Sequence, residues 1–340
     1  MKRILALQLK RIGDLILTTP ALAAVRAQWP EAGISLVVEQ GSASLAPALP
    51  MVDEVLVFDR KGGNGSLWWK LASRCHDVCL DFTGNDRSAL FTFLSRASRR
   101  AGFARHCQAG PRAFLYNAPI ESSVRDRHTV EHYMDLAAGI GAARGPLDLQ
   151  LRIPDAALMA ARDLLARAGV REGYFILHPG TARMEKQWEP ERWAEVAEHA
   201  SRSLGLPCVI TGSDAPVEKA HIREVCEHMS TRPVDLSGMS DLPVLAALIS
   251  RARCFLGVDS AAMHLASAFN VPQVVLFGPT NPFHWRPLRD NARVLQAGNP
   301  EGVFTPRGQG SPMHKIPVET VCAAVDALTS QKLIHSHDGH

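Results

Sequence analysis

The sequence predicts an α/β protein made of two doubly wound parallel-sheet domains in tandem. Three observations predict it. Short apolar runs alternate with helical patterns through the first half, the alternation starts again in the second half, and 340 residues suffice for two domains of ordinary size.

In the first half the expected strands are ILALQL (4–9), ISLVVE (34–39), VDEVLVF (52–58) and DVCLDF (77–82), with helices through PALAAVRAQW (20–29) and near LWWKLASRC. The second half offers YFILHPG (174–180), the helix PERWAEVAEHASRSLG, PCVITGS (207–213), the helix EKAHIREVCEHM and VDLSG (234–238). It continues with the helix PVLAALISRA, CFLGVDS (254–260), the helix AAMHLASAF and PQVVLFGPT. The join is expected in RIPDAAL (152–158), where Pro154 breaks one element and Asp155 caps the next helix. The expected division is therefore residues 1–153, residues 154–325 and a disordered tail at 326–340. Two such domains place their strand ends, and so their ligands, at a shared central cleft.

Hydrophobic residues at 46% and charged residues at 21% suit an ordinary globular chain, and aromatics at 6% do not suggest a stacking surface for nucleic acid. The formal charge of +3 is uneven: residues 1–150 hold 18 Lys and Arg against 14 Asp and Glu, and the remainder 19 against 20. Arg96, Arg99, Arg100 and Arg105 fall within ten positions. This stretch reads as a solvated face; it also suits an anionic substrate or a lipid headgroup surface. Seven cysteines without a Cys-x-x-Cys pair read as reduced cytosolic thiols. The start MKRILALQLK lacks the apolar run of a secretory signal, and no run is long enough for a membrane span. A cytoplasmic protein is expected, meeting a membrane, if at all, from its surface. The tail HSHDGH is read as disordered, with weak metal binding through its His spacing as the lesser reading.

The loops HPGTARMEKQW, TGSD, SGMSD, GVDSAAMH and FGPTNP are rich in Gly, Ser, Thr and Pro. In an open parallel sheet such loops follow the carboxyl ends of strands and open helices, where free N–H groups and the helix dipole favour an anion. A nucleotide diphosphate fits there. Ser260, with the N–H groups of Ala261 and Ala262, suits a phosphate; Asp259 suits a cap, a sugar hydroxyl or the balancing of Lys186. Lys186 is either a solvated end or the counter-charge for a leaving diphosphate. Glu218 is either a first-turn acid or a carboxylate on a ribose diol, and His264 either a packed helix residue or a hydrogen-bond donor.

The first half has no Gly-x-Gly-x-x-Gly, which disfavours a dinucleotide enzyme, and phosphate-loop, His-Glu-x-x-His and Gly-x-Ser-x-Gly motifs are absent throughout. The first strand runs instead into KRIGD, with Asp14. If the helix starts at Thr19-Pro20, Asp14 is free to be a base; if it starts at Asp14 and kinks at Pro20, Asp14 is a cap. The residues alone leave both open.

MKRILALQLKRIGDLILTTPAL, ILHPGTARMEKQWEPERWAEV and FLGVDSAAMHLASAFNVPQVVLFGPTNPFHWRP, in this order, resemble the ADP-heptose:lipopolysaccharide heptosyltransferases, glycosyltransferase family 9. FHWRP and DSAAMH resemble the branch-adding third type more than the first or second. The resemblance implies a GT-B fold and inverting transfer with no essential metal and no cofactor. It implies Asp14 as general base, Thr181 and Lys186 as donor-phosphate contacts, Glu218 as the ribose contact, and Asp259, Ser260, Ala261 and His264 as the donor loop. Arg96, Arg99, Arg100 and Arg105 then have an acceptor to bind. Two departures stand out: Ala261 replaces the family's common glycine, and SPMHKIPVETV lacks a cysteine that some members carry. The expected partners are ADP-heptose, a lipid A-linked lipopolysaccharide core and, peripherally, the inner face of the inner membrane; no nucleic acid is expected, and the protein itself is expected to be a monomer. The alternatives are a transferase or epimerase using another nucleotide sugar, or a catalytically silent nucleotide-sugar binding protein.

Overall fold

The run ILALQL forms β1 (Arg3–Gln8), buried at every position from Ile4 onward, as a strand covered by helices on both faces must be. The computed structural model describes residues 2–107 and 110–335 and divides into two units, Met1–Arg152 and Ile153–His340.

In the first unit β1 is followed by α1 (Ile12–Gln28), β2 (Gly33–Glu39), β3 (Glu54–Phe58), α2 (Gly65–Ser73), β4 (Val78–Asp81) and α3 (Asp86–Leu94). Then come β5 (Arg99–Phe103), the short α4 (Ala104–Cys107), β6 (Ala118–Ile120) and α5 (Thr129–Gly139). The strands run in the order β3-β2-β1-β4-β5-β6, all neighbours parallel. The order reverses between β1 and β4, the point where open α/β sheets leave a crevice beyond their strand ends. Two helices carry reciprocal capping boxes, Asn85 with Ser88 on α3 and His128 with Glu131 on α5.

The second unit holds α6 (Asp155–Arg167), β7 (Phe175–His178), α7 (Pro190–Leu204), β8 (Cys208–Ile210), α8 (Pro216–His228), β9 (Val234–Asp235) and α9 (Leu242–Ser250). It continues with β10 (Phe255–Val258), α10 (Ala261–Ala268), β11 (Gln273–Phe277), α11 (Pro282–Trp285), β12 (Ala292–Gln296) and α12 (Val318–His335). Its order, β12-β11-β10-β7-β8-β9, repeats that of the first unit, again with parallel neighbours. The reversal here lies between β7 and β10. The core centres on Trp188 and Trp193, both fully buried with ring centroids 5.1 Å apart in an edge-to-face arrangement. Pro190 opens α7 and Gly205, at φ 64°, closes it in the left-handed conformation.

Two sequence expectations are corrected. The first helix starts neither at Thr19 nor at Asp14 but at Ile12, and carries Pro20 inside it. The tail expected from residue 326 is helical as far as His335, because Leu328 is buried and Asp326 accepts from His199 Nε2 at 2.9 Å. The remainder of HSHDGH lies outside the described residues. Among the described residues no helix is long and apolar enough to cross a membrane.

Candidate active site

At the carboxyl end of β1 the chain turns into α1 under close control. The Leu9 N–H donates to Thr83 Oγ1 at 2.8 Å, joining the loop after β1 to the loop after β4, and Gln8 Nε2 donates to Thr18 Oγ1 at 2.7 Å. Asp14 falls in the first turn of α1 and is not its cap: that position is Arg11, without a side-chain cap bond. The half-buried Asp14 carboxylate instead accepts from Tyr133 Oη, 2.6 Å from Oδ1, and Lys10 Nζ lies 3.3 Å from the same phenol oxygen. Tyr133 comes from α5, which packs along α1, and is fully buried. Burial, then the Asp14 charge, push the phenol well above its ordinary pKa, so it stays a donor. Burial lowers the Lys10 ammonium against the pull of Asp14 and Asp81.

Three more basic groups sit close by in the same field. Burial and then the positive charge of Arg105 and Lys10 hold His106 at about 4 and His132 at about 3. Neutral His106 accepts from Arg105 Nε at 2.9 Å. Its ring occupies the space a side chain at Gly84 would need: a Cβ there would lie 2.4 Å from His106 Cδ2, on a backbone at φ +73°. The rival carboxylate, Asp81, is fully buried and accepts from Thr83 N, Gly84 N, Ser88 Oγ and Tyr116 Oη at 2.6–3.0 Å. Burial raises it against those bonds, and with them it is a structural hub. Asp14, by contrast, has Tyr133 as its one side-chain hydrogen-bond partner among the described residues.

The arginine stretch does not come together. Arg105 follows β5 at the carboxyl edge, on the Asp14 side. Arg99 and Arg100 open β5 at the opposite edge, and their guanidinium groups donate to the carbonyls of Gly139 and Ile140 and of Leu115 and Ala97. Arg96, in the left-handed conformation at φ 52°, lies just past α3.

In the second unit the loops after β7 and β10 meet across the strand-order reversal. Lys186, in a single 3-10 turn at Met184–Lys186, is 8% exposed and pairs with the Asp259 carboxylate. Of the three readings of Asp259, the balancing of Lys186 has a contact in the fold, while the cap position of α10 falls to Ser260. Ser260 is the cap residue of α10 but makes no side-chain cap bond, and its buried Oγ has no partner. Thr280, in the loop after β11, has an equally unpartnered buried Oγ1. Ala261 opens α10 with an ordinary backbone, so glycine is not required there by conformation. Two orphan hydroxyls, free helix N–H groups and a lysine are the donor set of an anion site.

Glu218 lies close to the loops after β7 and β8. It accepts from Ser213 N at 3.0 Å and Ser213 Oγ at 2.5 Å, with His178 Nε2 4.0 Å away. Burial lowers His178 against the attraction of Glu218. The carboxylate fits over Gly180, where a Cβ would come within 2.3 Å of it. Thr181 Oγ1 is 3.4 Å from Arg183 N, and His264 is buried in α10. Sequence reasoning missed Tyr133, whose contact with Asp14 spans 119 residues, and no local pattern marks it. Thr280 was within reach, in a loop already singled out by composition. Among the described residues no group of three His, Cys, Asp or Glu side chains is placed to hold a metal ion.

The sequence profile of Glycosyltransferase family 9 (heptosyltransferase) matches residues 65–307, more than two thirds of the 340-residue chain. Lipopolysaccharide heptosyltransferase 3 of Escherichia coli K12 is 26% identical over 331 residues, covering 93% of this chain and 95% of its own length. Lipopolysaccharide heptosyltransferase 1 of Pseudomonas aeruginosa is 29% identical over 297 residues, covering 82% and 79%. The crystal structure of a family 9 glycosyl transferase from Veillonella parvula superposes with a TM-score of 0.83 at 26% identity, covering 97% of each chain. E. coli heptosyltransferase WaaC, solved with ADP-2-deoxy-2-fluoro heptose, has a TM-score of 0.73 at 22% identity, covering 97% of this chain and 99% of its own, and shares the fold. With the family profile spanning both units, the chain belongs to glycosyltransferase family 9, the heptosyltransferases.

Proposed function

We propose that this enzyme transfers heptose from ADP-heptose, with inversion, to the phosphorylated inner core of lipopolysaccharide, and that it is of the third-heptosyltransferase type. The family supplies the reaction class, and WaaC, solved with an ADP-heptose analogue, supplies the donor class. The observation that carries the mechanism is the Asp14 carboxylate, held on one oxygen by Tyr133 and open on the other.

In this reading Asp14 Oδ2 takes the proton of the acceptor hydroxyl as its oxygen attacks the anomeric carbon. The bond from that carbon to the diphosphate oxygen breaks, and the departing charge is met by Lys186, the N–H groups opening α10 and the Ser260 and Thr280 hydroxyls. One base and one basic pocket are the requirement of a single displacement; a double displacement needs a second carboxylate as nucleophile. Glu218 binds the ribose diol by exchanging its Ser213 bonds, and Thr181 adds a phosphate contact. Lys10 and Arg105 hold the acceptor's phosphate, a role that Arg99 and Arg100 are poorly placed to share with their guanidinium groups on backbone carbonyls. A lipid A-linked acceptor implies peripheral contact with the inner face of the inner membrane.

Mass spectrometry of a truncated lipid-linked core incubated with ADP-heptose tests donor and acceptor together. One added heptose is the expected product, and an unmodified core with intact free enzyme overturns the reading. Asp14→Asn is expected to lose transfer by about two to four orders of magnitude with donor affinity unchanged; undiminished transfer removes Asp14 from its role.

A further inference from the structure

Every exposed Trp or Phe among the described residues lies between positions 68 and 114: Trp68, Trp69, Phe93 and Phe114. Single exposed apolar side chains are ordinary on a soluble surface, but here all the large aromatic ones share one stretch of one unit. Trp69 is 69% exposed, Phe93 51% and Phe114 82%. Trp68 packs edge-on against the buried Phe91 of α3, with ring centroids 5.2 Å apart, so α2 and α3 lie side by side. Leu90 and Phe93, one turn apart on α3, are both exposed. The turn bearing Phe114 is tied to the start of α3 by Arg112 Nε on Asp86 Oδ1 at 2.6 Å.

The charge of this region leans positive. Residues 60–114 hold ten Lys and Arg against three Asp and Glu, in a chain whose whole formal charge is +3. Four of the ten are ion-paired, Arg112 with Asp86 and, to acids outside this stretch, Arg60 with Glu39 and Lys70 and Arg74 with Glu54; Asp81 is buried, and the exposed Lys61, Arg87 and Arg96 are in no ion pair among the described residues. Arg87 lies over the Phe58 ring at 4.8 Å, at the margin of the apolar face. Exposed aromatic rings bordered by exposed cations such as Lys61, Arg87 and Arg96 are what an interfacial surface presents to an anionic bilayer: the rings enter the headgroup boundary and the cations meet the phosphates.

We propose that the outer faces of α2 and α3, with the Phe114 turn, form the surface by which this protein docks on an anionic lipid bilayer. The proposal rests on the reading of the acceptor as membrane-held, but its test involves no transfer, so the two fail separately. The full chain is sedimented with vesicles of phosphatidylethanolamine containing one quarter phosphatidylglycerol, and with vesicles of phosphatidylcholine alone. The wild type is expected to sediment with the anionic vesicles, to release as salt rises, and to bind the neutral ones at least about tenfold more weakly. Trp69→Ser combined with Phe93→Ser, both exposed positions, is expected to weaken anionic-vesicle binding by about tenfold or more. Its thermal unfolding, and its turnover on a deacylated, water-soluble core acceptor, should stay within about twofold of the wild type in rate and within a degree or so in midpoint. Three results overturn the proposal: no sedimentation of the wild type, undiminished sedimentation of the double variant, or a wild-type dimer that the double variant converts to monomer, which would make the patch a contact between two copies.

Discussion

Asp14 works, in this reading, through one neighbour that has no charge of its own. Tyr133 spends its proton on Oδ1, and burial keeps that proton in place, so the carboxylate is aimed without being neutralised. Tyr133→Phe keeps the ring and removes the anchor; kcat is expected to fall about tenfold with the donor KM unchanged. Because the two side chains act as a unit, Asp14→Asn with Tyr133→Phe should be no slower than Asp14→Asn alone. Additive losses in the steady-state rates would show that Tyr133 acts elsewhere. The Lys186–Asp259 pair makes a different demand. Both side chains are about one tenth exposed, and a buried pair loses about 3 to 5 kcal/mol when one partner is removed. Lys186→Met alone should therefore lower the urea midpoint clearly. Lys186→Met with Asp259→Leu should recover most of that stability while still failing to bind ADP by calorimetry. Recovery of binding as well would remove Lys186 from the donor site.

At the scale of the element, α1 shows why part of the sequence misleads. Thr19-Pro20 has the composition of a helix start, yet it lies eight and nine residues inside α1. Pro20 cannot donate to the carbonyl four residues back, Ile16 O, and Thr19 Oγ1 donates to that oxygen at 2.7 Å instead. The same hydroxyl accepts from Gln150 N at 3.0 Å. Thr19→Val is expected to cost about 2 to 3 kcal/mol for two orphaned backbone groups, and adding Pro20→Ala to return about 1. Equal effects of Pro20→Ala with and without Thr19 would refute the substitution of one donor for the other. A local signal is thus present but overridden by a hydroxyl whose second partner is 131 residues away. The long buried strands are legible because their apolar runs need no context, while β5 (RRAGF) and β6 (API) are hidden by charge and shortness. RRAGF reads as a basic patch. Once it is a strand, parallel geometry sends Arg99 and Arg105 to opposite edges. The donor loops are legible by composition because each sits between its own strand and helix. Tyr133 is not, since only the packing of α5 on α1 brings it to Asp14.

The whole molecule is two units of one topology, each with buried histidines held neutral. In the first unit His76 is lowered and His106 and His132 are held at about 4 and about 3; in the second His178 and His221 are lowered, burial being the largest cause in every case. Unfolded, each returns to its ordinary value near 6.5. As pH falls through 6.5, the unfolded chain therefore takes up protons that the folded chain does not yet accept, and stability falls with pH. The contribution is complete above about 6.5 and is lost downward toward the folded values. Carboxylates lowered in the fold, such as Glu54 and Asp326, lose theirs only below about 4.5; Asp81, raised by burial, acts in the opposite sense, and the five lowered histidines outnumber it, so between pH 7 and pH 5 they set the sign of the slope. Urea denaturation should give a clearly lower midpoint at pH 5 than at pH 7. His132→Gln should shrink that difference by removing one proton uptake, even though losing the ring stacked on Phe103 lowers the midpoint at both pH values. A midpoint equal or higher at pH 5, or a His132→Gln variant with the full wild-type difference, would mean that these histidines take up protons in the folded protein as readily as in the unfolded one. In that case the basic field around Asp14 carries more positive charge at pH 5 than Lys10 and Arg105 alone supply.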